Sequence, residues 1–197
     1  MQALIIIDVQ NDFLPGGALA VTGGDQVIAV ANEEQKRFSL VVATQDWHPK
    51  DHKSFAVNND RKVGEVIELE GLAQVMWPAH CVQNTKGAEL AAALDQKGIE
   101  KIFHKGTNPS IDSYSGFFDN GHRQATGLGA WLQARGVDRV TLLGLATDYC
   151  VKFTALDAVK LGFETEVVVR GCRGVELQQG DVERALSEMR AAGVRLI

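Results

Sequence analysis

Asp8, Lys105 and Cys150 lie far apart in the chain, yet together they supply the parts of a nucleophilic site. Cys150 offers a thiol, Lys105 a cation and Asp8 a carboxylate. A free thiol ionises near pH ~8.5, and a neighbouring cation together with a helix N-terminus draws that value toward neutrality. The carboxylate can take the thiol proton, pass it to a leaving group and later activate water. Each residue also has an ordinary reading: a turn aspartate, a solvated lysine, and a small core cysteine, the commonest fate of a free thiol. The chemical reading gains weight because each of the three falls at or just after the end of an apolar run.

Asp46, His48, His52 and His80 form a second set, of residue types that bind zinc, iron or manganese. Asp46-x-His48 in a loop aims two side chains to one side, and the excursion to Trp77-Pro78-Ala79-His80 brings another back. Three of the five histidines fall in this one connection, whereas His104 and His122 have no such company and read as structural. The expectation is one divalent metal ion. Aspartate and histidine do not distinguish zinc, iron(II) and manganese.

The elements that must position these residues follow from hydrophobic patterning. Apolar runs at Ala3–Ile7, Leu40–Thr44, Lys101–Phe103, Val140–Leu143 and Thr165–Val169, with a last one at Val194–Ile197, suit strands buried on both faces. Helical patterns lie between them at Asp25–Arg37, Gly87–Lys97, Gly127–Arg135, Tyr149–Leu161 and Asp181–Ala192, and Gly98, Gly136, Gly162 and Gly193 read as helix stops. This alternation predicts an α/β fold of three layers, α/β/α, around a mostly parallel six-stranded sheet. In such a sheet ligands bind beyond the carboxyl ends of the strands, where Asp8, Asp46, Lys105 and Cys150 would converge. Two long connections, Gln45–Lys86 and His104–Thr126, break the regular spacing, and long loops in a compact domain are usually functional.

The 197 residues read as a single domain, 1–197, with no linker or repeat to divide it. A chain of this size holds a core without disulfides or structural metal, so a metal-ligand pattern points to function. The net charge of -5 offers no footprint for a polyanion, which excludes nucleic acid as the expected partner. No apolar run approaches the ~18 residues of a membrane span, and the N-terminus lacks the basic start of a signal peptide. With three scattered cysteines in no C-x-x-C pair, the expected compartment is the reducing cytoplasm.

Five segments carry a resemblance: Ile7-Asp8-Val9-Gln10-Asn11-Asp12-Phe13, Gln45-Asp46-Trp47-His48-Pro49, Trp77-Pro78-Ala79-His80-Cys81-Val82, His104-Lys105-Gly106 and Gly144-Leu145-Ala146-Thr147-Asp148-Tyr149-Cys150-Val151. In this order and spacing the chain resembles the isochorismatase-like cysteine hydrolase superfamily, and within it the bacterial nicotinamidase/pyrazinamidase family. The stretch Asp112-Ser113-Tyr114-Ser115-Gly116-Phe117-Phe118 is also similar. The resemblance implies an amide hydrolase that converts nicotinamide to nicotinate and ammonia, as in pyridine-nucleotide salvage, and that also takes pyrazinamide. It implies Cys150 as nucleophile, Asp8 as acid and base, and Lys105 as the cation of a triad. Asp46, His48 and His80 become metal ligands in the 45–86 loop, with His52 a fourth ligand found in only some relatives. The backbone N–H groups of Ala146 and Cys150 become the oxyanion hole, next to a cis Leu145–Ala146 peptide, and Phe13, Trp77 and Tyr114 wall the pyridine ring. The metal then acts on the far side of the substrate ring, leaving Lys105, Asp8 and the helix start to tune the sulfur.

Two other classes compete. One is a metallohydrolase in which Asp46, His48 and His80 activate water and Cys150 is a bystander; the other is a non-catalytic binding protein on the same fold. Another amidase of the superfamily is a nearer alternative. Joint possession of the Asp, Lys, Cys set and the metal set favours nicotinamide hydrolysis, and self-association into a homo-oligomer stays open.

Overall fold

A computed structural model describes all residues, 1–197. Six strands form one sheet: β1 (Gln2–Ile7), β2 (Val41–Asp46), β5 (Ile99–Lys105), β6 (Arg139–Leu145), β7 (Glu164–Arg173) and β8 (Arg195–Leu196). Their order is β5-β2-β1-β6-β7-β8, and every pairing is parallel. The α/β class and the six-stranded sheet are as the patterning predicts. Ala3 to Ile7 of β1 are fully buried, because β1 is central and covered on both faces. Each such Leu or Ile contributes roughly 1.5–3 kcal/mol by leaving water. β5 is an edge strand with exposed Glu100, Lys101, Ile102 and His104, which is why its apolar run in the sequence is so short.

Four α-helices connect or flank the strands: α1 (Gln26–Glu34), α2 (Leu128–Ala134), α3 (Lys152–Lys160) and α4 (Asp181–Ala191). Gly136, Gly162 and Gly193 take the left-handed φ of a helix stop, as expected. The helix expected over Gly87–Lys97 is absent, although its alanine-rich sequence has high helix propensity. Tertiary contacts claim its backbone first. Ala88 O accepts from both Gln10 Nε2 (2.8 Å) and Gln45 Nε2 (2.9 Å), and Asn11 N–H donates to Glu89 O (3.0 Å). Ala91 N–H donates to Val9 O (2.9 Å), and the Asn32 side chain bonds Ala93 O and Asp95 N–H. Gly98 accordingly stops no helix and has no positive φ.

The connection from β2 to β5 contains a hairpin that patterning did not suggest, β3 (Val66–Leu69) against β4 (Leu72–Val75). It carries the chain out from His48 and back to His80. No helix is long and apolar enough to cross a membrane. All three cysteines are free and buried.

Candidate active site and metal cluster

The carboxyl ends of β1, β2, β5 and β6 meet at the point where the chain departs from β1 to either side of the sheet. Ile7 lies level with Thr44 and Gly144, and Asp46 level with Lys105. Asp8 is one residue beyond β1 and takes a left-handed φ of 49°, which few non-glycine residues adopt. This turn carries its buried carboxylate off the strand line toward β2, where Thr44 Oγ1 donates to Asp8 Oδ1 at 2.7 Å.

Lys105 is the hub. Its ammonium donates to Asp46 Oδ1, to Ser113 O (2.8 Å) and to Cys150 Sγ (3.4 Å), and stands 2.9 Å from Asp8 Oδ2. The three N–H bonds of the ammonium are thereby directed to Asp46, Ser113 and Cys150. Asp8 Oδ2 feels the charge but receives no aligned donor. A buried carboxylate oxygen with a free lone pair, close to Cys150 Sγ, is placed to take the thiol proton.

Cys150 sits in a single wide turn, Thr147–Val151, in which Val151 N–H reaches back five residues to Ala146 O at 3.0 Å. The expected helix start is thus a π-helical turn leading into α3, a feature frequent at functional sites. The Leu145–Ala146 peptide is cis, as the resemblance implies.

The electrostatics differ from the expectation of a depressed thiol pKa. Burial pushes the Cys150 thiol well up; Lys105 opposes this, and Asp8 and Asp46 add to it. One lysine charge is shared between two carboxylates, so a thiolate would be the third anion around a single cation in a buried site. Burial, opposed by Lys105, also raises Asp8 above the ordinary carboxylate value, which makes it a stronger base. Burial alone would raise Asp46 too, but Lys105 and then His48 hold it well below the ordinary value. These directions make the resting pair a thiol beside a carboxylate.

Asp46, His48 and His80 form a buried set whose ligand atoms lie within 4.8 Å of one another. His48 Nε2 is 3.6 Å and His80 Nε2 3.7 Å from Asp46 Oδ2. His48 Nδ1–H donates to Gly106 O (2.9 Å) and His80 Nδ1–H to Pro78 O (2.8 Å), which leaves both Nε2 lone pairs facing inward. Nothing in the protein satisfies the buried His48 Nε2. These residues fit a divalent cation.

His52, expected as a fourth ligand, stands outside this set and groups instead with His48 and Asp112. Its Nδ1 accepts from Ser54 N–H at 3.1 Å, so the neutral ring carries its proton on Nε2 and presents a donor there. Burial pushes this imidazole down to about 4 and keeps it neutral. His104 stacks on Trp47, and His122 pairs with Asp157; both lie away from the cluster.

Asp46 also removes the expected separation of the two constellations, since one of its oxygens serves Lys105 and the other the histidines. Loop geometry protects this arrangement. Gly106 has φ +64°, and a Cβ there would lie 2.3 Å from His48 Cε1. Gly106→Ala should therefore displace the His48 ring and lower metal content about tenfold or more, measured by metal analysis after dialysis, with wild-type retention counting against this account.

A cleft opens over Cys150 and brings Phe13, Trp77 and Tyr114 together. Trp77 Nε1 donates to Tyr114 Oη at 3.2 Å, which sets the two rings edge to face. Sequence reasoning missed Leu19, Tyr149 and Val175 in this wall. Tyr149, next to Cys150 in the chain, carried a positional signal. Val175 had none: it is fixed because Asp148 accepts from the N–H groups of Val175 (2.9 Å) and Glu176 (2.8 Å). Asp112, also missed as a site residue, lines the cleft with one oxygen 4.0 Å from His48 Nε2. Because only Cys150 opens on this cleft beside a base and a cation, iodoacetamide should label it before Cys81 and Cys172. Peptide mass spectrometry showing either of those labelled first would refute this.

The isochorismatase domain family matches the chain over residues 2–197. The chain is 51% identical to the nicotinamidase of Escherichia coli strain K12, covering 99% of this chain and 93% of that one. A solved Acinetobacter baumanii nicotinamidase and pyrazinamidase superposes with a TM-score of 0.97 at 46% identity, covering 100% of this chain and 95% of its own. A Pyrococcus horikoshii pyrazinamidase in complex with zinc matches with a TM-score of 0.82 at 40% identity, covering 100% and 98%.

Proposed function

The chain belongs to the isochorismatase domain family, and from its site we infer that it hydrolyses nicotinamide to nicotinate and ammonia through a Cys150 thioester. The observation that carries the residue assignment is a cleft with an aromatic wall that opens on Cys150, whose Sγ lies 3.4 Å from the buried Lys105 Nζ, itself 2.9 Å from Asp8 Oδ2, beside the convergent Asp46, His48 and His80. Pyrazinamide keeps the flat ring and the carboxamide and fits the same wall.

Phe13, Trp77 and Tyr114 hold the ring so that the carboxamide carbon faces Cys150, which makes attack close to a unimolecular step. Asp8 accepts the thiol proton as sulfur adds to the carbonyl. Lys105 offsets the negative charge of the site as it passes from Asp8, neutralised by the thiol proton, to the substrate oxygen, and the N–H groups of Ala146 and Cys150 receive that oxyanion, each such donor being worth about 3 kcal/mol. Asp8 returns the proton to the departing nitrogen, so ammonia leaves and a thioester remains. Water then loses a proton to Asp8 as it attacks the thioester, releasing nicotinate and restoring the thiol. Asp46, His48 and His80 would hold a divalent ion, which when bound supplies a Lewis-acid anchor for the ring nitrogen. His52 Nε2–H and Asp112 flank that position as donor and acceptor.

Ammonia release from nicotinamide by the purified protein tests this reading. Release should be lost on chelation and return with zinc, iron(II) or manganese. No release under any of these metals would overturn it.

A further inference from the structure

Within the first motif Asp8 and Phe13 belong to the site, and Val9, Gln10 and Asn11 hold the 88–91 segment. Asp12 sits between Phe13 and the metal loop, and both of its carboxylate oxygens are used. Oδ2 accepts from Cys81 N–H at 2.7 Å and Oδ1 from Ala18 N–H at 3.2 Å. Cys81 is the residue after His80. It is fully buried and held at φ 45°, a left-handed conformation that a cysteine rarely adopts. Its carbonyl in turn accepts from His48 N–H at 3.0 Å. Cys81 thus joins His80 through the peptide whose N–H Asp12 holds and His48 through a hydrogen bond to its carbonyl, in the next peptide, and Asp12 pins the turn between them.

We propose that Asp12 is a positioning residue of the metal cluster, fixing the Cys81 turn so that His80 and His48 present their Nε2 atoms to the same point as Asp46. The proposal rests on the reading that Asp46, His48 and His80 hold the ion. The local chemistry calls for an aspartate. Two backbone N–H groups need two acceptor oxygens, and asparagine offers one oxygen and an NH2 that would face an N–H. Glutamate is a methylene too long for the space, because the carboxylate already lies against Gly87, where a Cβ would come within 2.1 Å of Asp12 Oδ2. Gly87 is kept bare by this approach, and Asn11 Nδ2 secures the same segment through Lys86 O at 2.7 Å.

The test is a zinc titration of chelator-stripped protein against a competing chelator, run on wild type, Asp12→Asn, Gly87→Ala and His80→Ala. Asp12→Asn should bind zinc about 10- to 100-fold more weakly, the usual effect of losing a group that orients a ligand. Gly87→Ala, which displaces the carboxylate without removing it, should weaken binding in the same direction. In nicotinamide hydrolysis the zinc concentration for half activation should rise by the same factor for Asp12→Asn, while kcat at saturating zinc falls by no more than about threefold. Iodoacetamide labelling of stripped protein at Cys150 should stay near the wild-type rate, which separates a positioning effect from collapse of the fold. Zinc affinity of Asp12→Asn within about twofold of wild type, or parallel loss of zinc binding and Cys150 labelling, overturns the proposal while His80→Ala still loses zinc. If His80→Ala itself binds zinc normally, the ligand assignment beneath the proposal fails with it.

Discussion

Cys150→Ala should remove nicotinamide turnover, with a loss of about 10⁴-fold or more in kcat, while nicotinamide still binds. Truncating the nucleophile of a covalent mechanism eliminates the thioester route itself, and residual catalysis from the remaining groups is small by comparison. Ground-state contact comes from elsewhere: Phe13, Trp77 and Tyr114 wall the cleft, and none of them needs the sulfur to hold its place. Alanine at this position leaves the turn intact, because the bond that closes it runs from Val151 N–H to Ala146 O. Quenching of Trp77 fluorescence by nicotinamide gives the binding constant, and ammonia release gives kcat. Near-normal kcat in the variant would transfer the chemistry to a water activated at the metal cluster and make Cys150 a bystander. Loss of binding together with turnover would make the cysteine structural.

Asp8→Asn should cost about 10³- to 10⁴-fold in kcat/KM, within the range for a group that moves protons in several steps. Asparagine keeps the shape and can still accept from Thr44 Oγ1, but it cannot take the thiol proton. The thiol is held well up by burial, so without this base the sulfur stays protonated in the ground state. Wild-type activity should also carry the titration of Asp8. The carboxylate must be ionised to act, and burial raises its pKa; activity therefore falls as pH drops through that raised value, earlier than an ordinary carboxylate would dictate. The residual activity of Asp8→Asn should lack this acid limb. A variant that retains both the rate and the limb would show that another group accepts the proton.

The strands and the chemistry-bearing residues were legible in the primary structure because both are local. A run such as Ala3 to Ile7 has one low-energy use, a strand covered on both faces, and the residue that ends it must lie at the sheet's carboxyl edge. Asp8, Asp46, Lys105 and Cys150 could thus be assigned to one crevice before any distance was known. Residue type also limited the chemistry to a thiol nucleophile, a carboxylate base and a hard or borderline metal.

What spacing could not convey is how charges and backbone groups are shared between distant segments. The chain at 87–97 has every local reason to be a helix, yet Gln10, Asn11, Gln45 and Asn32 capture its peptide groups and hold it as a succession of short turns. Asp46 reads as a metal ligand, but only the folded chain joins it to Lys105 as well and so merges two constellations that look separate. The thiol reads as activated by a lysine; enclosure beside two carboxylates reverses the direction of its pKa and makes Asp8 the active partner. His52 looks equivalent to His48 until Ser54 N–H occupies its Nδ1 and moves the proton to the other nitrogen. Propensity and residue type are properties of a residue and its neighbours in the chain, whereas desolvation, shared charge and tautomer depend on everything packed within a few ångströms, and that packing exists only once the strands have brought distant loops together.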